Sequence, residues 1–181
     1  MVIERPYILY VGNIKPHKNL RRLLIAFKMI KDKIPHKLVL IGEKDGFITG
    51  EKEVFKIAKE IGDRVIFKGY VDEKTLEQYF INAEIFVFPS LYEGFGLPTV
   101  EAMACGCPVI ASCIGSLLEV CKDGVMYCDP YSETDIAEKM EQLLKNEELR
   151  KKYIQRGERI TKAYTWDKTV EKLIVSIENI I

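Results

Sequence analysis

Apolar and polar residues follow one another along this chain in two rhythms. Short apolar runs, Tyr7 to Val11 (YILYV), Lys37 to Ile41 (KLVLI) and Ile85 to Phe88 (IFVF), have the length and the β-branched or aromatic content of strands. Val65 to Phe67, ending at Gly69, then Val109 to Ala111 and Gly124 to Tyr127, read as three shorter ones. Between the strands the spacing shifts to three and four. Leu20, Leu23, Leu24, Phe27 and Ile30 predict a helix that begins near Pro16 and is stopped by Pro35. Val54, Ile57, Ala58 and Ile61 predict another over Glu51 to Ile61, closed by Gly62, after a polar loop from Gly42 to Gly50. Asp72 is an N-cap for a helix with Leu76, Tyr79, Phe80 and Ala83 facing inward, and a short helix is expected over Leu117 to Cys121. Beyond Tyr127 the pattern is helical throughout. Ile136, Met140, Leu143 and Leu144 mark one helix, and Leu149, Tyr153 and Ile160 a second. Val170, Leu173, Ile174, Ile177 and Ile181 mark a third after Trp166, which Trp166 and Tyr164 are expected to pack.

Strands that are apolar at nearly every position are covered on both faces, and alternating strands and helices supply that cover. The fold class is therefore α/β: a mainly parallel sheet of about six strands, right-handed crossovers, and helices on both faces. No linker, repeat or biased tract interrupts the 181 residues, so residues 1–181 read as one domain. In such sheets ligands bind outside the carboxyl ends of the strands.

Charge narrows the partners. Lys and Arg together number 27, as do Asp and Glu, so no net field draws the chain to nucleic acid or an acidic membrane. The N-terminal MVIERPY lacks a signal-peptide core, and no apolar run reaches the roughly 18 residues of a membrane span. A soluble, cytoplasmic chain is expected, with peripheral membrane association of a larger protein left open. Cys105, Cys107, Cys113, Cys121 and Cys128 fit neither a redox pair nor a zinc framework by spacing, and read as ordinary thiols.

Candidate chemistry concentrates in Pro89 to Gly106, PSLYEGFGLPTVEAMACG. A strand runs into Gly94 and Gly96, then through Pro98 into a helix, and helix N-termini present unpaired N–H groups to anions. Glu93 and Glu101 bracket the loop and would oppose an anion unless they accept hydrogen bonds from neutral hydroxyls. A nucleotide-sugar carries both groups, a diphosphate for the amides and hydroxyls for the carboxylates. Gly12 to Asn19 follows the first strand on the same side and can line the same crevice. Plainer roles exist for each residue: Glu101 in the first turn complementing the helix dipole, Lys18 solvated beside Asn19, Gly12, Gly94 and Gly96 as turn glycines of unusual φ. His17 and His36 read as surface residues.

The sequence EGFGLPTVE, with Glu93 and Glu101 separated by seven residues, resembles the E-x7-E signature of retaining glycosyltransferases of the GT-B fold. It is most similar to the family 4 enzymes, which include mannosyl- and glucosyltransferases. YVGNIKPHKNL (Tyr10 to Leu20), FKGYVDEKTLEQYFINAEIFVFPS (Phe67 to Ser90) and EAMACGCPVIAS (Glu101 to Ser112) extend the likeness over nearly the whole chain. The resemblance implies the C-terminal, Rossmann-like, donor-binding domain, with an N-terminal acceptor domain absent from this chain. It implies Glu101 on the ribose hydroxyls, Glu93 on the donor sugar, and Lys18 on the diphosphate. The amides of Phe95, Gly96 and Leu97, after Gly94, would face sugar and phosphate, Gly12 and Asn13 would adjoin them, and Tyr70 and Val71 would line the base. The donor would be of the GDP-mannose or UDP-glucose type, and the acceptor a glycan or lipid-linked sugar held by the missing domain.

Physical chemistry accommodates those roles. As the glycosidic bond breaks, negative charge grows on the leaving diphosphate, where Lys18 and aimed amides stabilise it, and positive charge grows on the anomeric carbon beside Glu93. No D-x-D occurs to bridge a metal to the diphosphate, so neither metal nor cofactor is expected. One departure stands out: Asn13 occupies a position that is often basic in the family, which removes a charge from the diphosphate grip. Alternatives are another GT-B enzyme, such as a glycogen- or sucrose-type synthase or a sugar-nucleotide epimerase, and a nucleotide-binding module without catalysis. A dinucleotide oxidoreductase fits poorly, because GFGLPT has Thr99 at the third glycine position and follows the fourth strand.

Overall fold

The computed structural model describes residues 5–42 and 51–178. Six parallel strands form one sheet: β1 (Tyr7–Val11), β2 (Lys37–Ile41), β3 (Val65–Gly69), β4 (Ile85–Phe88), β5 (Val109–Ser112) and β6 (Met126–Cys128). Their spatial order is β3-β2-β1-β4-β5-β6. Register pairs Ile8 with Leu38 on one side and with Ile85 on the other, which makes β1/β4 the point where the strand order reverses. The expected polar loop 43–50 and the terminal Ile181 lie outside the described residues.

Alternation along each strand builds two cores. Ile8, Tyr10, Leu38, Leu40, Ile85, Val87 and Ile110 point to one face, where α1 (Leu20–Ile30), α2 (Glu51–Ile61) and α6 (Glu133–Lys145) cover them. Tyr7, Leu9, Val39, Phe86, Phe88, Val109 and Ala111 point to the other, under α3 (Glu73–Asn82), α4 (Leu97–Ala104) and α5 (Gly115–Cys121). Each fully buried Leu, Ile or Phe contributes about 1.5–3 kcal/mol, so the two apolar faces hold the sheet between its helices. α7 (Glu147–Thr161) wraps from one face to the other: Leu149 and Tyr153 join the first core and Ile160 the second.

Boundaries differ from expectation where local polar chemistry intervenes. Pro16 opens a 3-10 turn, Pro16–Lys18, and α1 starts only after Asn19, whose left-handed backbone (φ 60°) separates the two. α1 ends at Ile30 in a second 3-10 turn, Lys31–Lys33, before Pro35 is reached. The cap at Asp72 forms as expected, its carboxylate accepting from the Thr75 N–H at 2.8 Å. All five cysteines are free thiols.

α8 (Trp166–Glu178) departs most. Its helix forms, but Val170, Leu173, Ile174 and Ile177 remain about half exposed. Tyr164 packs against the second core, and the Trp166 side chain lies outside what the structure describes. No helix among the described residues is long and apolar enough to cross a membrane.

Candidate functional site

The loops after β1 and β4 meet at the carboxyl edge of the sheet, and Asn19 fastens them. Its side-chain amide donates to the carbonyls of Pro89 (2.9 Å) and Pro130 (2.6 Å), while its oxygen accepts from Arg22 Nη1 at 3.1 Å. Sequence reasoning missed this residue. An Asn directly before a helical apolar face reads as an N-cap, yet here the side chain caps nothing and is buried between loops. The Leu91 N–H adds a bond to the His17 carbonyl at 2.7 Å.

That fastening delivers Lys18 to Glu93. Lys18 Nζ donates to Glu93 Oε1 at 2.6 Å and lies 5.2 Å from the centroid of the Phe88 ring. Both side chains are mostly shielded from water, with 16% and 11% of their surface exposed, so the charges feel each other strongly. Tyr10, buried behind them, donates to the Asn13 carbonyl at 3.3 Å, and burial followed by the Glu93 charge pushes its phenol pKa well up.

Gly12, Asn13, Lys15, His17, Lys18 and Tyr70 line one open groove of about 550 Å³. Its floor depends on a close approach. A Cβ on Gly42 would stand 2.1 Å from the Gly12 carbonyl oxygen, which brings the loops after β1 and β2 together. The Gly42 N–H reaches the Gly69 carbonyl at 3.0 Å, carrying the connection to β3 and so to Tyr70. Tyr70 presents an exposed ring, whereas the Val71 side chain packs partly into the second core.

On the other flank, Gly96 precedes α4 with φ 85°, and a Cβ there would meet Leu117 at 2.3 Å. Thr99 Oγ1 donates to the Gly96 carbonyl at 2.7 Å. Among the described residues nothing accepts from the N–H groups of Phe95, Gly96 or Leu97, and Pro98 has none to offer. Gly94 corrects the expectation of unusual φ: its φ is not positive and a Cβ would face open space, while Gly12 (φ 154°) and Gly96 do take positive values. The side chains of Phe95 and Leu97 turn away from the Gly12 groove, lining another of about 390 Å³ with Val100, Tyr164, Thr165 and Thr169.

Glu101 stands in the second turn of α4, not the first, so a simple dipole role does not describe it. No side chain among the described residues bonds its carboxylate. Although the residue is exposed at its edge, partial burial of the carboxyl, and then the Glu73 charge, raise its pKa. Glu73 opens α3 soon after Tyr70, so Glu101 lies on the Tyr70 side of the crevice. A hydroxyl donor would satisfy this carboxylate at no cost to a protein partner. His36 is buried rather than superficial, directly before β2 at the opposite edge of the sheet, and desolvation lowers its pKa. It takes no part here.

The chain matches the family described as glycosyl transferases group 1 over residues 3–160. It is 34% identical over 173 residues to the O-antigen chain mannosyltransferase B of Escherichia coli, covering 93% of this chain and 44% of that protein. The chain thus spans less than half the length of that relative. Among solved structures it is similar to sucrose-phosphate synthase from Thermosynechococcus elongatus, with a TM-score of 0.84 and 28% identity, over 98% of this chain and 47% of that one. It is also similar to the C-terminal domain of a glycosyl transferase group 1 family protein from Francisella tularensis, with a TM-score of 0.75 and 28% identity, over 87% and 85% of the two chains.

Proposed function

Since the chain belongs to the glycosyl transferases group 1 family, we propose that it is the donor-binding half of an enzyme that moves a hexose from a nucleoside-diphosphate sugar to an acceptor, with retention and without a metal ion. The observation that carries this is the contact of Lys18 with Glu93 across the β1/β4 switch point, beside the free amides of Phe95, Gly96 and Leu97. The diphosphate takes Lys18 and the amides. Glu93, released from Lys18, turns its carboxylate to the sugar. Glu101 accepts the ribose hydroxyls, and the base lies toward Tyr70 and Val71.

Charge movement follows from this arrangement. The bond between the anomeric carbon and the diphosphate oxygen breaks with its electron pair left on the diphosphate, where Lys18, once released from Glu93, and the amides stabilise it; an acceptor hydroxyl oxygen bonds to the anomeric carbon and passes its proton to the leaving phosphate. Asn13 contributes a hydrogen bond without charge, and Lys15 and His17, on the same groove, lie where they can supplement it. The likeness to an E. coli mannosyltransferase supports mannose as the first donor to test. A second domain completes the acceptor side, which the 44% coverage of that relative supports, and the exposed apolar face of α8 is a surface left for it.

The test is a transfer assay with labelled GDP-mannose and UDP-glucose, using the chain joined to an acceptor domain, with and without EDTA. Transfer that survives EDTA, and the absence of transfer by the 181-residue chain alone, are expected. Activity abolished by EDTA and restored by a divalent ion would overturn the metal-free grip.

A further inference from the structure

Tyr164 sits in the short link between α7 and α8, far along the chain from the glycine loop. Its ring meets the Phe95 ring edge to face, centroids 5.6 Å apart at 89°. Its hydroxyl donates to the Val120 carbonyl at 3.0 Å, in the last turn of α5. The same helix supplies Leu117, which packs on Gly96, and Cys121, whose sulfur lies 3.1 Å from Thr99 Oγ1. The Tyr127 hydroxyl donates to the Lys122 carbonyl at 2.7 Å and lies 3.1 Å from the Leu117 carbonyl, which ties β6 to α5. The loop carrying the free amides therefore has a wall, α5, and an outer brace, Tyr164.

We propose that Tyr164 is a positioning residue for the diphosphate site: its ring holds Phe95, and through Phe95 the orientation of the Phe95, Gly96 and Leu97 amides. Gly96 and Thr99 are held from below by hydrogen bonds and packing. Phe95, 39% exposed, has Tyr164 as its aromatic contact, so the direction of its backbone depends on that ring. Amides act on an anion only when several converge on one point, and a rotation of one peptide plane breaks the convergence. Tyr164 also leads directly into α8, whose apolar face is exposed.

The functional part of this inference rests on the donor-site reading above; the structural part does not. Two measurements separate them. Backbone 15N relaxation of the chain reads the loop without any nucleotide: order parameters at Phe95–Leu97 should fall in Tyr164→Ala and stay near the parent values in Tyr164→Phe, which keeps the ring. Titration with UDP and GDP, and with uridine and guanosine, reads the function. Tyr164→Ala should weaken the bound diphosphate about three- to tenfold and leave the nucleoside unchanged, with Tyr164→Phe restoring most of the loss. Unchanged order parameters, or equal weakening of nucleoside and diphosphate, would overturn the proposal. Altered order parameters in a chain whose parent binds neither diphosphate would sustain the brace and sink the donor-site reading.

Discussion

Lys18 and Glu93 neutralise each other at 2.6 Å, so on the proposed reading an incoming diphosphate would compete with a carboxylate for the ammonium. The pair keeps the site ordered and charge-balanced, and it divides the two roles cleanly. If Glu93 serves the sugar and only restrains Lys18, Glu93→Gln frees the lysine. A nucleoside diphosphate lacking sugar should then bind as tightly as before or a few-fold tighter, while transfer by the two-domain enzyme is lost. Isothermal titration of Glu93→Gln with UDP and GDP checks the first half; a tenfold weaker complex would place Glu93 on the nucleotide instead. Lys18→Ala is the opposite case. It removes the cation and leaves a shielded carboxylate unpaired, costing about 1–3 kcal/mol of stability as well as diphosphate affinity.

At the scale of elements, α4 presents donors at its first turn and an acceptor at its second. On the proposed reading Glu101 accepts from two hydroxyls, most strongly when ionised, and its pKa is raised, by burial first and the Glu73 charge second. Affinity that depends on Glu101 is therefore complete above that raised pKa and lost as pH falls through it, earlier than for an ordinary glutamate. The nucleotide's own phosphate protonates at about pH 6 and weakens binding too. Glu101→Gln should keep that phosphate dependence and lose the remainder, which titrations of both proteins from neutral to acidic pH will resolve. The strands and helices around this site were legible because apolar periodicity reports burial, and the two cores are built from the residues that the periodicity picks out. Asn19 and Tyr164 were not. Asn19 acts through carbonyls of Pro89 and Pro130, 70 and 111 residues away, and Tyr164 through the Phe95 ring and the Val120 carbonyl, the latter 44 residues away, contacts that no local spacing encodes. Glu93, Glu101 and Lys18 were legible as a set from the EGFGLPTVE and YVGNIKPHKNL stretches and from the expectation that loops after parallel strands share one edge of the sheet. Glu101's turn of the helix, and the pairing of Lys18 with Glu93, required the structure.

The whole molecule is a two-faced α/β layer whose carboxyl edge carries the crevice and whose last helix leaves its apolar side in solvent. Family membership places it among glycosyltransferases, and the proposal of a donor rather than an acceptor side rests on a cation, free amides and a carboxylate without a protein partner at the carboxyl edge of the sheet. Isothermal titration of the chain with UDP and with GDP tests that claim most directly. One of the two should bind with unit stoichiometry, and Glu101→Ala should weaken it at least about tenfold, ~1.4 kcal/mol, without shifting the thermal unfolding midpoint. Binding of neither nucleotide, or full affinity in Glu101→Ala, would contradict it.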